Sequence, residues 1–398
     1  MNMLSDRILG LSESATIAMS RMSREMKEQG IDVISLSLGE PDFDTPDFIK
    51  EAAKKGIDDN YSHYPPIAGY KDLREAIVHK FKRDNGLNYT ADQIVVSTGA
   101  KQTIANIILC TVNPGDEVIL PAPYWVSYVE LVKLAGGEPI VLQTTIENDF
   151  KVTPEQLEEH ISDKTKLLIF SSPCNPSGSV YSAEELGNLA KVLEKHEQVF
   201  TVADEIYELI NFEGKTSSLA ANSAIFDRVA TINGVSKGFA MTGWRLGYMG
   251  APLWLAKACD KMQGQITSAT SSITQRAVIA ALQAEPSSVD YMKEAFIKRR
   301  DLALNKLSEV PGFKTNVPTG AFYIFPNVEE LFGNSYKEGV IENSNDLCLY
   351  LLEEAHVALV PGEAFGSPQC LRISYAASEE TLTEAISRIK KAIDKLVA

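Results

Sequence analysis

The segment around Lys237 combines residue types that can carry covalent chemistry. Residues 234–245 read GVSKGFAMTGWR and follow the apolar stretch Val229–Asn233. Small and apolar neighbours desolvate an amine and lower its pKa, so this environment favours a neutral, nucleophilic Lys237. Ser236 and Arg245 can hold an anionic group beside it, since arginine grips phosphate with two parallel hydrogen bonds. The pattern therefore predicts a nucleophilic lysine next to an anion site.

Four other candidate residues, three polar and one aromatic, follow or interrupt apolar segments. Asp204 follows Phe200–Ala203, and a buried carboxylate there needs a cation or strong donors. Asn175 lies in a proline-rich loop after Leu167–Ser171, and Trp125 follows another predicted strand, where its ring could stack on a planar group. The remaining position, Arg372, lies within an apolar strand and is a candidate clamp for a ligand carboxylate or one half of an internal salt bridge.

One other class of enzyme shares part of this pattern. Residues 234–238 also match the G-x-S-x-G turn of α/β-hydrolases, which needs a late histidine, and His356 alone follows in the sequence. Neither a Walker motif nor G-x-G-x-x-G is present, which disfavours nucleotide-binding functions. The turn Gly99-Ala100-Lys101 before a predicted helix instead offers backbone N–H groups to an anion.

Short apolar strands alternate with helical segments between about residues 93 and 233. This alternation predicts an α/β fold with a mainly parallel sheet covered on both faces, where ligands lie beyond the carboxyl ends of the strands. From Tyr291 a charged helix (predicted over 291–308) and alternating strands near 321–325 and 370–374 predict a smaller α+β domain. The predicted division is 1–45 (N-terminal arm and part of the small domain), 46–288 (large domain) and 289–398 (small domain).

The charge and cysteine content limit the partners. The 398 residues carry a formal net charge of −15, which disfavours nucleic acids and anionic membrane surfaces. No secretory signal or membrane span is expected, and five widely spaced cysteines fit a reducing cytoplasm. The five histidines form no zinc-binding motif, so no metal is expected.

Together these segments resemble the class I, fold-type-I aminotransferases that depend on pyridoxal phosphate, most closely the bacterial aspartate aminotransferases. The resemblance covers nearly the whole chain. It rests on five ordered motifs, which are GEPDF at 39–43, SPCNPSG at 172–178, DEIY at 204–207, SKGFAMTGWRLGY at 236–248 and LRIS at 371–374.

The resemblance implies roles for the cofactor-binding residues. Lys237 would bind the aldehyde of the cofactor and shuttle the substrate proton, and Asp204 would keep the pyridine nitrogen protonated. Tyr207 and Asn175 would hydrogen-bond the phenolic oxygen. The implied phosphate site is formed by Gly99, Ala100, Lys101, Ser236, Arg245 and, from the neighbouring subunit of a homodimer with shared active sites, Tyr64.

The resemblance also implies the substrate contacts and the reaction. Trp125 would stack on the cofactor ring, while Arg372, Asn175 and the backbone of Gly39 would bind the α-carboxylate. Lys101, aided by Ser14 or Thr16, would bind the distal carboxylate. The expected reaction transfers an amino group from aspartate to 2-oxoglutarate by a ping-pong mechanism through pyridoxamine phosphate.

Several alternatives remain open. Aromatic, prephenate or alanine aminotransferases share these motifs, and so do β-lyases or decarboxylases of the same fold. Prephenate-accepting relatives tend to have a basic residue just before the Ser-Ala-Thr of the arm, where this chain has Ser12 and Glu13. A binding protein that has kept the fold is disfavoured because the lysine, aspartate, tyrosine and both arginines are all present.

Overall fold

The computed structural model describes residues 3–214, 216–337 and 339–397. The strands are β1 (Ile34–Ser35), β2 (Ile94–Ser97), β3 (Glu117–Ala122), β4 (Glu138–Gln143), β5 (Thr165–Ser171), β6 (Phe200–Asp204), β7 (Val229–Gly234), β8 (Gly247–Gly250), β9 (Tyr323–Ile324), β10 (Ser335–Tyr336), β11 (Gly339–Val340), β12 (Val357–Ala358), β13 (Val360–Pro361) and β14 (Leu371–Ser374).

The α-helices lie between these strands and at both ends of the chain. They are α1 (Asp6–Leu9), α2 (Ala15–Glu28), α3 (Asp47–Asp58), α4 (Lys71–Lys80), α5 (Ala100–Thr111), α6 (Ser127–Leu134), α7 (Pro154–His160), α8 (Ala183–Lys195), α9 (Leu253–Ile266), α10 (Ser272–Gln283), α11 (Asp290–Leu307), α12 (Ser344–Tyr350) and α13 (Glu379–Leu396). None of the helices in the described ranges is long and apolar enough to cross a membrane.

A seven-stranded sheet with the order β2-β8-β7-β6-β5-β3-β4 forms the centre of the fold. Its strands are parallel except β8, which runs antiparallel to both of its neighbours. The central strands β6 and β7 are buried along their whole length, as expected when helices cover both faces of a sheet. The predicted α/β class with a mainly parallel sheet is confirmed.

The antiparallel strand β8 was not predicted from the sequence. It reads GYMG, and a strand with glycine at both ends lacks the β-branched residues that mark the other strands. Tertiary packing requires these glycines, because a Cβ on Gly247 would collide with the backbone of Gly99 and Ala100, and one on Gly250 would collide with the ring of Tyr89. Close packing therefore outweighs strand propensity here.

A smaller sheet with the order β13-β14-β9 lies in the C-terminal part, and β1 pairs in parallel with β12. The early strand β1 therefore joins C-terminal elements, as the predicted N-terminal contribution to the small domain requires. The exact domain boundaries stay a prediction. Helix α2 begins at Ala15, and Met19 is buried in the core one turn before Met22, which packs against the same cluster.

Candidate active site

The chemically active residues meet in one cleft of about 510 Å³. Most of its polar walls come from segments that follow β1, β2, β6 and β7 and from β14. The predicted site residues that line it are Gly39, Ala100, Lys101, Trp125, Asn175, Asp204, Tyr207, Ser236, Lys237, Arg245 and Arg372. A larger cleft of about 770 Å³ around Glu147, Lys314 and Glu342 contains none of them.

Lys237 lies three residues after β7, with its amine directed into the cleft. Its Nζ donates a hydrogen bond to the carbonyl oxygen of Gly39 at 2.5 Å and lies 5.8 Å from the centre of the Tyr207 ring. Desolvation is the main cause that lowers the pKa of Lys237 to about 8; the guanidinium groups of Arg372 and Arg245 act in the same direction, and the carboxylates of Glu40 and Asp204 oppose them. Roughly a tenth of the amine is therefore neutral at pH 7, far more than for an ordinary lysine, and this fraction is able to act as a nucleophile.

Asp204 ends β6 and is almost completely buried. Its Oδ2 accepts a hydrogen bond from the hydroxyl of Tyr128 at 2.7 Å, and its Oδ1 accepts one from the backbone N–H of Ile206 at 3.2 Å. Burial raises the pKa of Asp204 to about 6 in spite of these donors. A cation placed in the cleft against this carboxylate would stabilise its charged form.

The neighbouring acid Glu205 points away from the cleft. Its Oε2 accepts a hydrogen bond from the Asn85 amide at 3.3 Å, and burial raises its pKa to about 8. Lys80 is buried beside it, in an ion pair with Glu208 and with its Nζ 2.8 Å from Asn85 Oδ1. Of the two adjacent acids, Asp204 is therefore the one available to a ligand.

An anion site is built where β2 meets α5. Gly99, two residues after the end of β2, has φ = 87° and is the N-cap of α5, so that the N-terminus of this helix at Ala100 opens toward the cleft. The Arg245 guanidinium packs against Gly99 so closely that a Cβ there would collide with it. With the Ser236 hydroxyl also lining the cleft, backbone N–H groups, a hydroxyl and a guanidinium converge, which is the donor set of a phosphate site.

Arg372 on β14 is only 2% exposed, yet it forms no salt bridge with any described residue. Its Nη1 donates to Asn175 Oδ1 at 3.0 Å and its Nη2 to the carbonyl oxygen of Ser37 at 2.6 Å, while its Nε has no partner. Of the two possibilities left open by the sequence, the internal salt bridge is therefore wrong. A buried guanidinium without a counter-ion in the part of the chain that the structure describes is suited to a ligand carboxylate.

A second basic side chain, Lys101, lines the same cleft. Lys101 Nζ lies 4.9 Å from the centre of the Trp125 ring, and desolvation lowers the pKa of Lys101. Ser14 and Thr16 of the N-terminal arm line the cleft as well. The cleft therefore offers two separate cationic groups, Lys101 and Arg372, to one ligand.

Two of the predicted site residues do not line this cleft. Tyr64 is 96% exposed, and Gly99 lies behind the guanidinium of Arg245. The hydrolase alternative is wrong, because Lys237 is followed by turns and β8 rather than by a long helix. In addition, His356 lies in a separate cleft beside Arg388.

The sequence analysis missed Tyr128, Tyr323 and Glu40, which also line the cleft. Tyr128 hydrogen-bonds Asp204, and the hydroxyl of Tyr323 lies 2.8 Å from that of Tyr207. Glu40 Oε1 accepts a hydrogen bond from Thr242 at 3.2 Å. Glu40 lies within a recognised motif, but no local pattern distinguishes Tyr128 and Tyr323 from ordinary core tyrosines.

Comparison with known proteins supports one family. Residues 31–389 match the family model described as aminotransferase class I and II. The chain is 46% identical to an aspartate aminotransferase of Pinus pinaster, over 98% of this chain and 80% of that protein. It is 47% identical to a probable aspartate/prephenate aminotransferase of Rickettsia conorii, and this match spans both chains completely.

Solved structures give the same result. The crystal structure of an aspartate aminotransferase from Rhizobium meliloti superposes with a TM-score of 0.96 at 41% identity and full coverage of both chains. An aspartate aminotransferase from Thermus thermophilus, solved with maleate, superposes with a TM-score of 0.92 at 39% identity, over 98% of this chain and 100% of that one. The chain therefore belongs to the class I and II aminotransferase family.

Proposed function

We propose that this protein is a pyridoxal-phosphate-dependent aspartate aminotransferase that transfers the amino group of L-aspartate to 2-oxoglutarate. The observation that carries the proposal is the buried Arg372, which has no counter-ion among the described residues and faces the same cleft as the amine of Lys237, whose pKa is lowered to about 8, and the carboxylate of Asp204. Relatives named aspartate aminotransferase at 46% identity support the choice of substrate.

The residues of the cleft fit the proposed cofactor. The donors at Ala100, Ser236 and Arg245 suit its phosphate, and the buried Asp204, with its raised pKa, suits a protonated ring nitrogen. Trp125 offers an aromatic face, and the hydroxyl of Tyr207 and the amide of Asn175 offer hydrogen bonds to a phenolic oxygen. When bound, pyridoxal phosphate supplies an aldehyde that combines with amines and a ring that accepts electrons from the substrate carbon.

The chain's own residues then perform three tasks. Arg372, with Asn175 and the backbone at Gly39, binds the α-carboxylate and fixes the direction of the substrate Cα. Lys237 would hold the cofactor through its amine and would take the proton from the substrate Cα as a general base. Asp204 stays ionised against the ring nitrogen, because Tyr128 and the Ile206 N–H stabilise its charge.

Binding of the cofactor to Lys237 tests this proposal directly. The purified protein is expected to be yellow, and borohydride reduction followed by peptide mapping should leave the cofactor label on Lys237. Because the pKa of Lys237 is about 8, the rate at which the apoprotein captures pyridoxal phosphate should rise with pH and level off above pH 8. A preparation that stays colourless after reconstitution would refute the proposal.

Lys101 is proposed to bind the distal carboxylate of the substrate. Lys101→Ala should raise the KM for aspartate roughly 30-fold or more, because a desolvated charge pair is lost, while the KM for alanine changes little. Lys191→Ala, on an exposed turn of α8, is the matched control and should leave both constants unchanged. Equal effects of Lys101→Ala on both substrates would remove Lys101 from recognition of the substrate side chain.

Prephenate is the second candidate substrate, since relatives from Rickettsia are named probable aspartate/prephenate aminotransferases. Against it, Glu13 occupies the position before Ser14 and forms an ion pair with Arg21 at 2.8 Å. Rates measured with prephenate and with 2-oxoglutarate as acceptors decide between the two. Formation of an oxo acid without any acceptor would instead indicate a β-lyase or decarboxylase.

A cytoplasmic homodimer with shared active sites completes the proposal. Tyr64 is almost fully exposed and does not line the cleft of its own chain, as expected of a residue that reaches the phosphate site of a neighbouring subunit. All five cysteines are free, which is consistent with a reducing compartment. Sedimentation of the cofactor-bound enzyme tests the dimer.

A further inference from the structure

Tyr323 lies between the two ligand-binding halves of the cleft. It belongs to β9, and its hydroxyl is 2.8 Å from the hydroxyl of Tyr207. The guanidinium carbon of Arg372 lies 4.6 Å from the centre of the Tyr323 ring. One side chain thus contacts both the proposed partner of the cofactor's phenolic oxygen and the proposed clamp of the α-carboxylate.

The position of Tyr323 is fixed by close packing. Its side chain is completely buried, and its hydroxyl lies so close to Gly39 that a Cβ on that residue would collide with it. Among the residues that the structure describes, Tyr207 is the one hydrogen-bond partner found for this hydroxyl. The hydroxyl of Tyr323 therefore has little freedom to turn away from Tyr207.

The direction of the hydrogen bond between the two tyrosines follows from counting protons. Each phenolic hydroxyl has one proton to donate. In the proposed function, Tyr207 donates its proton to the phenolic oxygen of the cofactor and can only accept a further hydrogen bond. Tyr323 must therefore be the donor to Tyr207, and this donation polarises the hydroxyl of Tyr207 and strengthens the bond that Tyr207 makes.

The charge of Arg372 makes Tyr323 a better donor. A cation over the face of a phenol stabilises negative charge on its oxygen, and Arg372 accordingly lowers the pKa of Tyr323 against the larger, opposite effect of burial. When a substrate carboxylate neutralises Arg372, this assistance is lost. The donation from Tyr323 to Tyr207 should then weaken.

We propose that Tyr323 is a positioning residue that couples the occupancy of the Arg372 clamp to the strength of the hydrogen bond from Tyr207 to the cofactor. The inference rests on the proposed function and deepens it. The substrate carboxylate thereby changes the protonation of the bound cofactor through two tyrosines, in addition to any direct charge effect. Other charged groups near the tyrosine pair are Glu40, Asp204 and Lys237.

The test is a pH titration of the absorbance of the bound cofactor in wild type and Tyr323→Phe. The variant keeps the ring and loses only the hydroxyl. Without ligand, its apparent pKa is expected to lie about 0.5–1 unit above that of wild type, the effect of one neutral hydrogen bond. Succinate has carboxylates but no amine to react. At saturating succinate, the difference in apparent pKa between the two enzymes should fall to less than about half of its value without ligand.

Tyr375→Phe is the matched control. Tyr375 is equally buried, follows β14 directly, and donates its hydroxyl to the carbonyl oxygen of Ala321 at 3.1 Å. Its removal should leave the apparent pKa of the cofactor unchanged with and without succinate. A shift in Tyr375→Phe as large as that in Tyr323→Phe would overturn the inference, because general loosening of the small sheet would then explain both.

A double-mutant cycle with Tyr207→Phe completes the test. In the Tyr207→Phe background, Tyr323→Phe should cause no further change in the apparent pKa. If Tyr323→Phe is not recovered as folded protein, Tyr207→Phe alone provides the test. Because this variant lacks the hydroxyl through which Tyr323 acts, succinate should raise the apparent pKa of its cofactor by less than in wild type.

Two sets of results separate the inference from the proposed function. Three results, obtained with a wild-type enzyme that binds the cofactor, would overturn the role of Tyr323 alone. They are an apparent pKa of the cofactor in Tyr323→Phe identical to that in wild type, a pKa rise with succinate in Tyr207→Phe as large as in wild type, and a pKa difference between wild type and Tyr323→Phe that succinate does not reduce. A wild-type protein that shows no cofactor absorbance would overturn the proposed function and this inference with it.

Discussion

Replacement of Lys237 by alanine should lower the rate of amino transfer by at least about 10⁴-fold, the upper end of the effect of losing a general acid–base group. The reason is that Lys237 is the one lysine in this cleft whose amine lies between Gly39 and Tyr207 and is partly neutral near pH 8. Steady-state kinetics with aspartate and 2-oxoglutarate measures the loss.

The same variant should still bind the cofactor. The groups proposed for the phosphate and the ring nitrogen, Ser236, Arg245 and Asp204, remain in place, so equilibrium dialysis should show bound pyridoxal phosphate without a label after borohydride treatment. Lys237→Arg is the informative companion, because arginine keeps the positive charge but is never neutral. Activity close to wild type in either variant would contradict the role of Lys237 as nucleophile and base.

Substitution of Asp204 by asparagine is expected to lower kcat by roughly 10²–10³-fold, because a buried charge pair with the ring nitrogen is lost. The amide oxygen can keep the hydrogen bond from the Ile206 N–H, and the amide NH2 can donate to the hydroxyl oxygen of Tyr128, so the fold is retained while the negative charge is removed. The measurements are kcat and the dissociation constant of the cofactor. The dissociation constant should also rise.

Glu205→Gln provides the matched control for this experiment. Glu205 is the adjacent residue and equally buried, but it faces Asn85 rather than the cleft. Because burial raises its pKa to about 8, Glu205 is largely protonated at neutral pH, and glutamine resembles that form. Its kcat should therefore stay close to wild type. A loss in Glu205→Gln as large as that in Asp204→Asn would refute a specific role for Asp204.

The order of the motifs in the sequence was sufficient to predict the fold class and most of the cleft. Short buried strands followed by Asp204, by Asn175 or by the Lys237 segment bring those residues to one edge of a parallel sheet, since the carboxyl ends of its strands share that edge. The low pKa of Lys237 also follows from local composition, because small and apolar neighbours cannot solvate a charged amine.

Only the tertiary structure decided which polar groups meet. Without the family resemblance, residue type alone could not choose between Asp204, the last residue of β6, and Glu205, which follows it, because the direction of each side chain depends on the elements packed around the end of the strand. Nor could it place the hydroxyl of Tyr128 on Asp204, or show that Arg372 donates to Asn175 and has no counter-ion among the described residues. The hydrogen bond between Tyr128 and Asp204 joins residues that are 76 positions apart in the sequence, and the one between Arg372 and Asn175 joins residues that are 197 positions apart. Local sequence patterns carry no information about contacts between such distant residues.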